Sequence, residues 1–311
     1  MRRTLQLSLS LLATATLLLA VTATTEAHAT STTFMKVKPA HAQNPHRSSN
    51  NLSYHGGPIE QGAAVYIVWW GPQWQSGFTT GNYTSAEAQT YVSDFFAGVG
   101  ATAWASSTTQ YCSGVASGTT QCGSAGTHAS LSNTLGGAWN DPSSVPTSPT
   151  QAQIRNEAAR AAAQFGVSGP NADVMVFTPA GHSESGFRTS WCAYHSSSGS
   201  LSYSYIPYQP DAGTSCGMNF VNGVNSTFGN GYFDGFSIVG GHEYAETVTD
   251  PQPNSGWLDG RSAENGDKCA WISSGQGAAS NITFGGNHYA VQSLWSNAFN
   301  SSSGGCVITY P

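Results

Sequence analysis

The chain has 311 residues, 39% of them hydrophobic, which is enough to bury a large core and excludes a disordered polymer. Only 8% are Asp, Glu, Lys or Arg, against about a quarter in an ordinary soluble domain, so neutral polar groups must solvate the surface. With 10 Lys and Arg against 16 acids and no basic run, nucleic acid and anionic membrane are disfavoured as partners.

Arg2 and Arg3, an apolar stretch from Leu5 to Val21 and then Ala27-His28-Ala29 have the charged, hydrophobic and small-residue parts of a secretory signal peptide over residues 1–29. A membrane anchor fits less well, because Ser8, Ser10, Thr14 and Thr16 interrupt a run that is already short. Cleavage there leaves 8 cations against 15 acids and a secreted protein with no later stretch able to span a bilayer. All six cysteines fall after the cleavage point, and an even count in an oxidising compartment predicts three disulfides. Loop economy pairs nearest neighbours: Cys112 with Cys122, Cys192 with Cys216, Cys269 with Cys306.

Residues 30–51 are polar, carry Pro39 and Pro45 and lack periodicity, which predicts a flexible tail or short propeptide. A single secreted domain is expected over 52–311. Ala63 to Trp70 is continuously apolar and stops at Gly71-Pro72, as a strand covered on both faces does. Thr84 and Glu87 make a capping box, and Ala88, Tyr91, Val92, Phe95 and Phe96 continue a helix to Gly98. Residues 106–148 are rich in Gly, Ser and Thr and predict irregular structure or short strands stapled by the first disulfide. A second helix over about 149–165 ends at Gly166, and Ala172 to Thr178 is a second buried strand. A more exposed strand is expected through Tyr203 to Ile206, with late strands through 289–295 and 307–310. The order of elements predicts an α/β (α+β) domain on a mixed central sheet with flanking helices and disulfide-stapled loops.

The chemistry concentrates in Phe236-Ser-Ile-Val-Gly-Gly-His242-Glu243-Tyr-Ala-Glu246-Thr-Val-Thr-Asp-Pro251. Phe236, Val239, Ala245 and Val248 have helical spacing, Asp234 is placed as an N-cap and Pro251 stops the run. His242 and Glu246 are then i and i+4 on one face, where an imidazole and a carboxylate reach a common zinc ion. Glu243 occupies the position at which His-Glu-x-x-His zinc peptidases carry their general base, although Glu246 stands here for the second His. A catalytic zinc needs a third ligand. Glu264, 18 residues beyond Glu246, is the candidate, with Asp267 behind a ligand His and Cys269 pinning the loop. The same residues suit calcium, or a solvated helix face with His242 satisfying a buried hydrogen bond. His182 and His195, both after the second buried strand, are further candidates for a ligand or for polarising a substrate carbonyl. Trp69, Trp70, Trp74, Tyr203, Tyr205 and Tyr208 are candidates to line a sugar or peptide groove.

Tyr54-His55-Gly56-Gly57-Pro58-Ile59 followed by Val65 to Gly71, then Phe228-Gly229-Asn230-Gly231-Tyr232-Phe233 and Ala245 to Pro251, resemble short motifs of the phosphate-induced, EXORDIUM-like secreted proteins of plant cell walls. That resemblance implies a common fold and a wall-associated role. Two functions therefore compete. One is a secreted zinc-dependent metallopeptidase acting on extracellular protein or peptide through His242, Glu246, Glu264 and Glu243. The other is a non-catalytic protein that binds cell-wall polysaccharide.

Overall fold

A computed structural model describes residues 31–39, 50–131, 134–224 and 231–309. The signal peptide expected over 1–29 lies outside these residues, as does Phe228-Gly229-Asn230 of the second resemblance motif. Among the described residues no helix is long and apolar enough to cross a membrane.

The core is a mixed six-stranded sheet. Its strands are β1 (Thr32–Lys36), β2 (Ala64–Trp70), β3 (Leu135–Asp141), β4 (Ala172–Phe177), β5 (Trp191–Ser198) and β6 (Leu201–Ile206), in the spatial order β1-β5-β6-β4-β2-β3. The four strands from β6 to β3 are parallel, while β5 runs antiparallel to both β6 and β1. Three helices matter: α1 (Ser85–Gly98), α2 (Gln151–Phe165) and α3 (Asp234–Thr249).

Local chemistry explains the helix ends. Thr84 with Glu87 and Thr150 with Gln153 form complete capping boxes, and Gly166 closes α2 at φ 69°, a left-handed turn that glycine enters without steric cost. Asp234 does not cap α3. Its carboxylate instead accepts from the backbone N–H groups of Val221 and Asn222 and from the Asn222 amide.

The sheet is covered on both faces. Tyr66 of β2 packs against Phe165 of α2 with the rings tilted, and on the other face Phe177 of β4 meets Phe236 of α3. Register puts His195, Ser204, Met175 and Ile67 side by side on that second face. Every residue of α3 is buried, because β5 and β6 lie on one side and a late strand, β7 (Asn287–Val291), on another. Gly240 and Gly241 let α1 approach: a Cβ on either would press on Phe96 or on Trp104 and Phe95 at 3.2–3.3 Å. Packing compensates two mid-helix glycines that cost α3 about 1 kcal/mol each relative to Ala.

Four expectations need correction. Residues 32–36 are not a tail but edge strand β1, with Met35 fully buried; only five residues long and polar at three of them, the strand is too short for its pattern to register. Residues 135–141 are a seven-residue edge strand of the central sheet within a stretch expected to be irregular or to hold only short strands, and Gly136 and Gly137 make room there for Tyr66 and Phe165. The strand through Tyr203 to Ile206 is interior, not exposed, because β1 and β5 extend the sheet beyond it. Finally, Trp69, Trp70, Trp74, Tyr203, Tyr205 and Tyr208 are all core, none more than 5% exposed, and cannot stack on a sugar ring.

The three disulfides join Cys112 to Cys122, Cys192 to Cys216 and Cys269 to Cys306, with no free cysteine among the described residues. Thiol labelling of denatured, unreduced protein should therefore find no reactive cysteine; two or more labelled thiols would contradict the pairing.

Candidate metal centre

α3 and β5 meet over a polar cluster that is fully buried except at Asp267. His242, Glu243 and Glu246 come from the helix, His195 from the strand, and Glu264 and Asp267 from the loop that returns after α3. That loop is held from three sides. The Asn265 amide donates to the Ala245 carbonyl and the Thr249 hydroxyl, the Trp295 N–H donates to the Asn265 carbonyl, and the Cys269–Cys306 disulfide follows directly. The loop that carries Glu264 and Asp267 is thereby fixed to the helix that carries His242, Glu243 and Glu246.

His242 is oriented for coordination. The Gln292 amide donates to the carbonyls of Gly266 and Ser293, which turns its Oε1 toward His242 Nδ1 at 3.2 Å. Nδ1 carries the proton in that contact, so the lone pair of the neutral ring is on Nε2. Nε2 lies 3.0 Å from Glu246 Oε1 and 3.9 Å from Asp267 Oδ1, yet makes no hydrogen bond. Two carboxylates facing that nitrogen call for positive charge between them, supplied either by a proton on Nε2 or by a metal ion on its lone pair. Glu246 Oε1 also accepts the Asp267 N–H at 2.9 Å, which ties the loop to the helix.

His195 has carboxylates on both nitrogens: Nδ1 is 3.1 Å from Glu243 Oε2 and 3.5 Å from Glu246 Oε2, and Nε2 is 3.4 Å from Glu264 Oε1. Glu264 makes no hydrogen bond through either oxygen, and Glu243 Oε1, Glu246 Oε2 and His195 Nε2 are equally unpartnered. Such orphaned buried groups are rare without an ion or water to satisfy them.

The electrostatics agree. Burial disfavours a charged His242, but Glu246 beside it outweighs burial and holds the ring up to about 9. His195 is raised well above the usual range for the same reason, against burial and through Glu264 and Glu243. Burial lifts Glu264 strongly and Asp267 to about 7, the latter with help from Glu246, whereas Glu246 is lowered despite its burial because His242 faces it. Protons thus take up a place that a divalent ion could fill with more charge.

Of the residues predicted from the sequence, the structure brings His242, Glu246, Glu243, His195, Glu264 and Asp267 together. It redistributes their positions. Asp267, expected behind a ligand, faces His242 directly, while Glu264, expected as third ligand, sits on His195. His182 is not in the site: its nitrogens contact the Gln73 amide and the Pro146 carbonyl. A solvated helix face is also corrected, since Glu243 and Glu246 have no exposure. Gln292 and Gly266 were missed. Nothing in the local sequence marks Gln292, and Gly266 matters only by proximity, since a Cβ there would lie 2.7 Å from His242 Nδ1 and 2.9 Å from Glu246 Oε1. If the cluster binds a divalent ion, Gly266→Ala should keep the fold and weaken that binding about 10–100-fold, the usual cost of disturbing groups that orient ligands; titration with a chromogenic chelator checks it.

Comparison with protein-family models, with curated proteins and with solved structures finds no match.

Proposed function

We propose that the protein is a secreted, zinc-dependent hydrolase of metallopeptidase type acting on extracellular protein or peptide. The observation that carries the reading is His242 Nε2, turned by Gln292 to face Glu246 and Asp267 with no hydrogen bond of its own. One imidazole and two carboxylates are ordinary zinc ligands, and three protein ligands are the number a catalytic site uses while keeping a position open. When bound, such an ion supplies Lewis acidity and makes water a nucleophile near neutral pH.

The chain's own residues account for the rest. Asp267 keeps 25% of its side chain in solvent while the other members of the cluster have none, so the loop 264–267 is the side from which substrate approaches. Glu246 joins the His242 and His195 halves of the cluster, and Glu243, held at 3.1 Å by His195, belongs to its inner wall. The order His-Glu-x-x-Glu on one helix is what selects a peptide as the substrate class, by analogy with zinc peptidases. The three disulfides fit an oxidising, extracellular compartment.

The test is hydrolysis of an unstructured protein such as casein, with zinc content measured on the same sample. Chelator-sensitive cleavage that His242→Ala abolishes is expected. Zinc without cleavage of any unstructured protein would remove the peptidase assignment and leave a structural ion.

A further inference from the structure

We propose that the cluster is a two-ion centre, in which a second divalent cation sits on His195 Nδ1, Glu243 Oε2 and Glu246 Oε2, and Glu246 bridges it to the ion on His242 and Asp267. This inference rests on the metal reading above and gives a task to residues that reading leaves without one.

The distances fit an ion. Ligands at 2.0–2.2 Å in a tetrahedral arrangement are about 3.3–3.6 Å from one another. His195 Nδ1 is 3.5 Å from Glu246 Oε2, within that range, and 3.1 Å from Glu243 Oε2, a hydrogen bond that the ion would replace; the three groups converge closely enough to share one ion, as His242, Glu246 and Asp267 do. Glu246 divides its two oxygens between the groups, Oε1 toward His242 and Oε2 toward His195. A carboxylate used in that way spans paired ions about 3.5–4 Å apart.

The charges fit as well. Glu243, Glu246, Glu264 and Asp267 are four carboxylates, and none of the ion pairs that described Lys and Arg side chains form involves them; Lys268, next to Asp267, pairs with Asp259 at 3.0 Å. Several kcal/mol per ion is the cost of burying charge without compensation, and two divalent cations balance four carboxylates beside two neutral imidazoles. Glu264 has its place in this arrangement. At 3.4 Å from His195 Nε2, a contact that is not a hydrogen bond in the metal-free protein, it is placed to accept that nitrogen's proton once Nδ1 turns to the cation, as in the carboxylate–histidine–metal relay common in protein metal sites.

The full-length mature protein, prepared without chelator and dialysed against metal-free buffer, should carry two equivalents of zinc by elemental analysis. Its zinc-edge X-ray absorption should show a metal–metal distance of about 3.5–4 Å. His195→Asn and Glu243→Gln should each lose one equivalent and retain the other, while Glu264→Gln keeps both with one weakened about 10–100-fold. One equivalent in the wild type, with no metal–metal distance and no loss in His195→Asn, would overturn the two-ion centre and leave the single-ion reading standing. Absence of any zinc would overturn both. The wild-type measurements decide the matter even where a variant fails to fold.

Discussion

Glu246→Ala should bind no zinc tightly and show no hydrolysis, the largest effect expected of any single substitution in this protein. Glu246 is the one side chain that contacts both His242 and His195, and its Oε1 also accepts the Asp267 N–H that holds the loop. Its loss removes a ligand from each ion and frees the loop that supplies Asp267. Affinity should fall by more than the roughly 10–100-fold typical of an orienting partner alone. His242→Ala should remove one ion only, because Glu246, Glu243 and His195 remain. Equilibrium dialysis with zinc on both variants distinguishes the two outcomes. Equal, partial losses in both would mean that Glu246 is not shared. To separate binding from folding, the absence of free thiols serves as a control, since all three disulfides must form in a correctly folded variant.

Chelation should lower the thermal midpoint by an amount on the order of 10 °C. An ion present at 1,000 times its dissociation constant stabilises the native state by about 4 kcal/mol, and 1 kcal/mol shifts the midpoint of a domain this size by about 2–4 °C. Without the ions, the native state must keep carboxylates and imidazoles buried together and satisfy them with protons. The sign follows from the shifts. His242, held up to about 9 by Glu246 against its burial, stabilises the metal-free fold below the ordinary imidazole range and loses that contribution as pH rises through about 9. Burial raises Glu264 and Asp267, so their protonated forms favour the metal-free fold at low pH and the penalty for ionising them grows as pH rises. Zinc binding competes with all these protons, so the difference in midpoint between loaded and chelated protein should widen from pH 6 to pH 8. Differential scanning calorimetry at both pH values checks it, and midpoints that do not respond to chelator would contradict it.

Much of the fold was legible because local chemistry and tertiary packing agree there. Ala63 to Trp70 and Ala172 to Thr178 are apolar on both faces and become central parallel strands, and Thr84 and Gly166 mark helix ends where the structure has them. The edge strands were not legible. β1 has one fully buried residue, Met35, and β3 alternates half-buried Leu135, Gly137 and Trp139 with exposed Gly136, Ala138 and Asn140, so neither carries the apolar run that reveals an interior strand. Missing β1 and β5 also made β6 look like an edge.

In the site, the i, i+4 spacing brought His242 and Glu246 together correctly because a helix enforces that geometry over one turn. The loop is different. Which of Glu264 and Asp267 faces His242 depends on a 3-10 turn over Asp267–Cys269 and on Asn265 anchoring to α3, neither of which spacing encodes. His195 reaches the cluster only through the pairing of β5 with β6 and β1, contacts made between residues far apart in the chain.

The most direct test of a metal centre here is a crystal of protein purified without chelator, with diffraction collected on either side of the zinc absorption edge. The account predicts an anomalous difference peak between His242 Nε2, Glu246 Oε1 and Asp267 Oδ1. A map without a peak at that position, from protein with its three disulfides intact, and with His242 Nε2 hydrogen-bonded directly to a carboxylate, would contradict it.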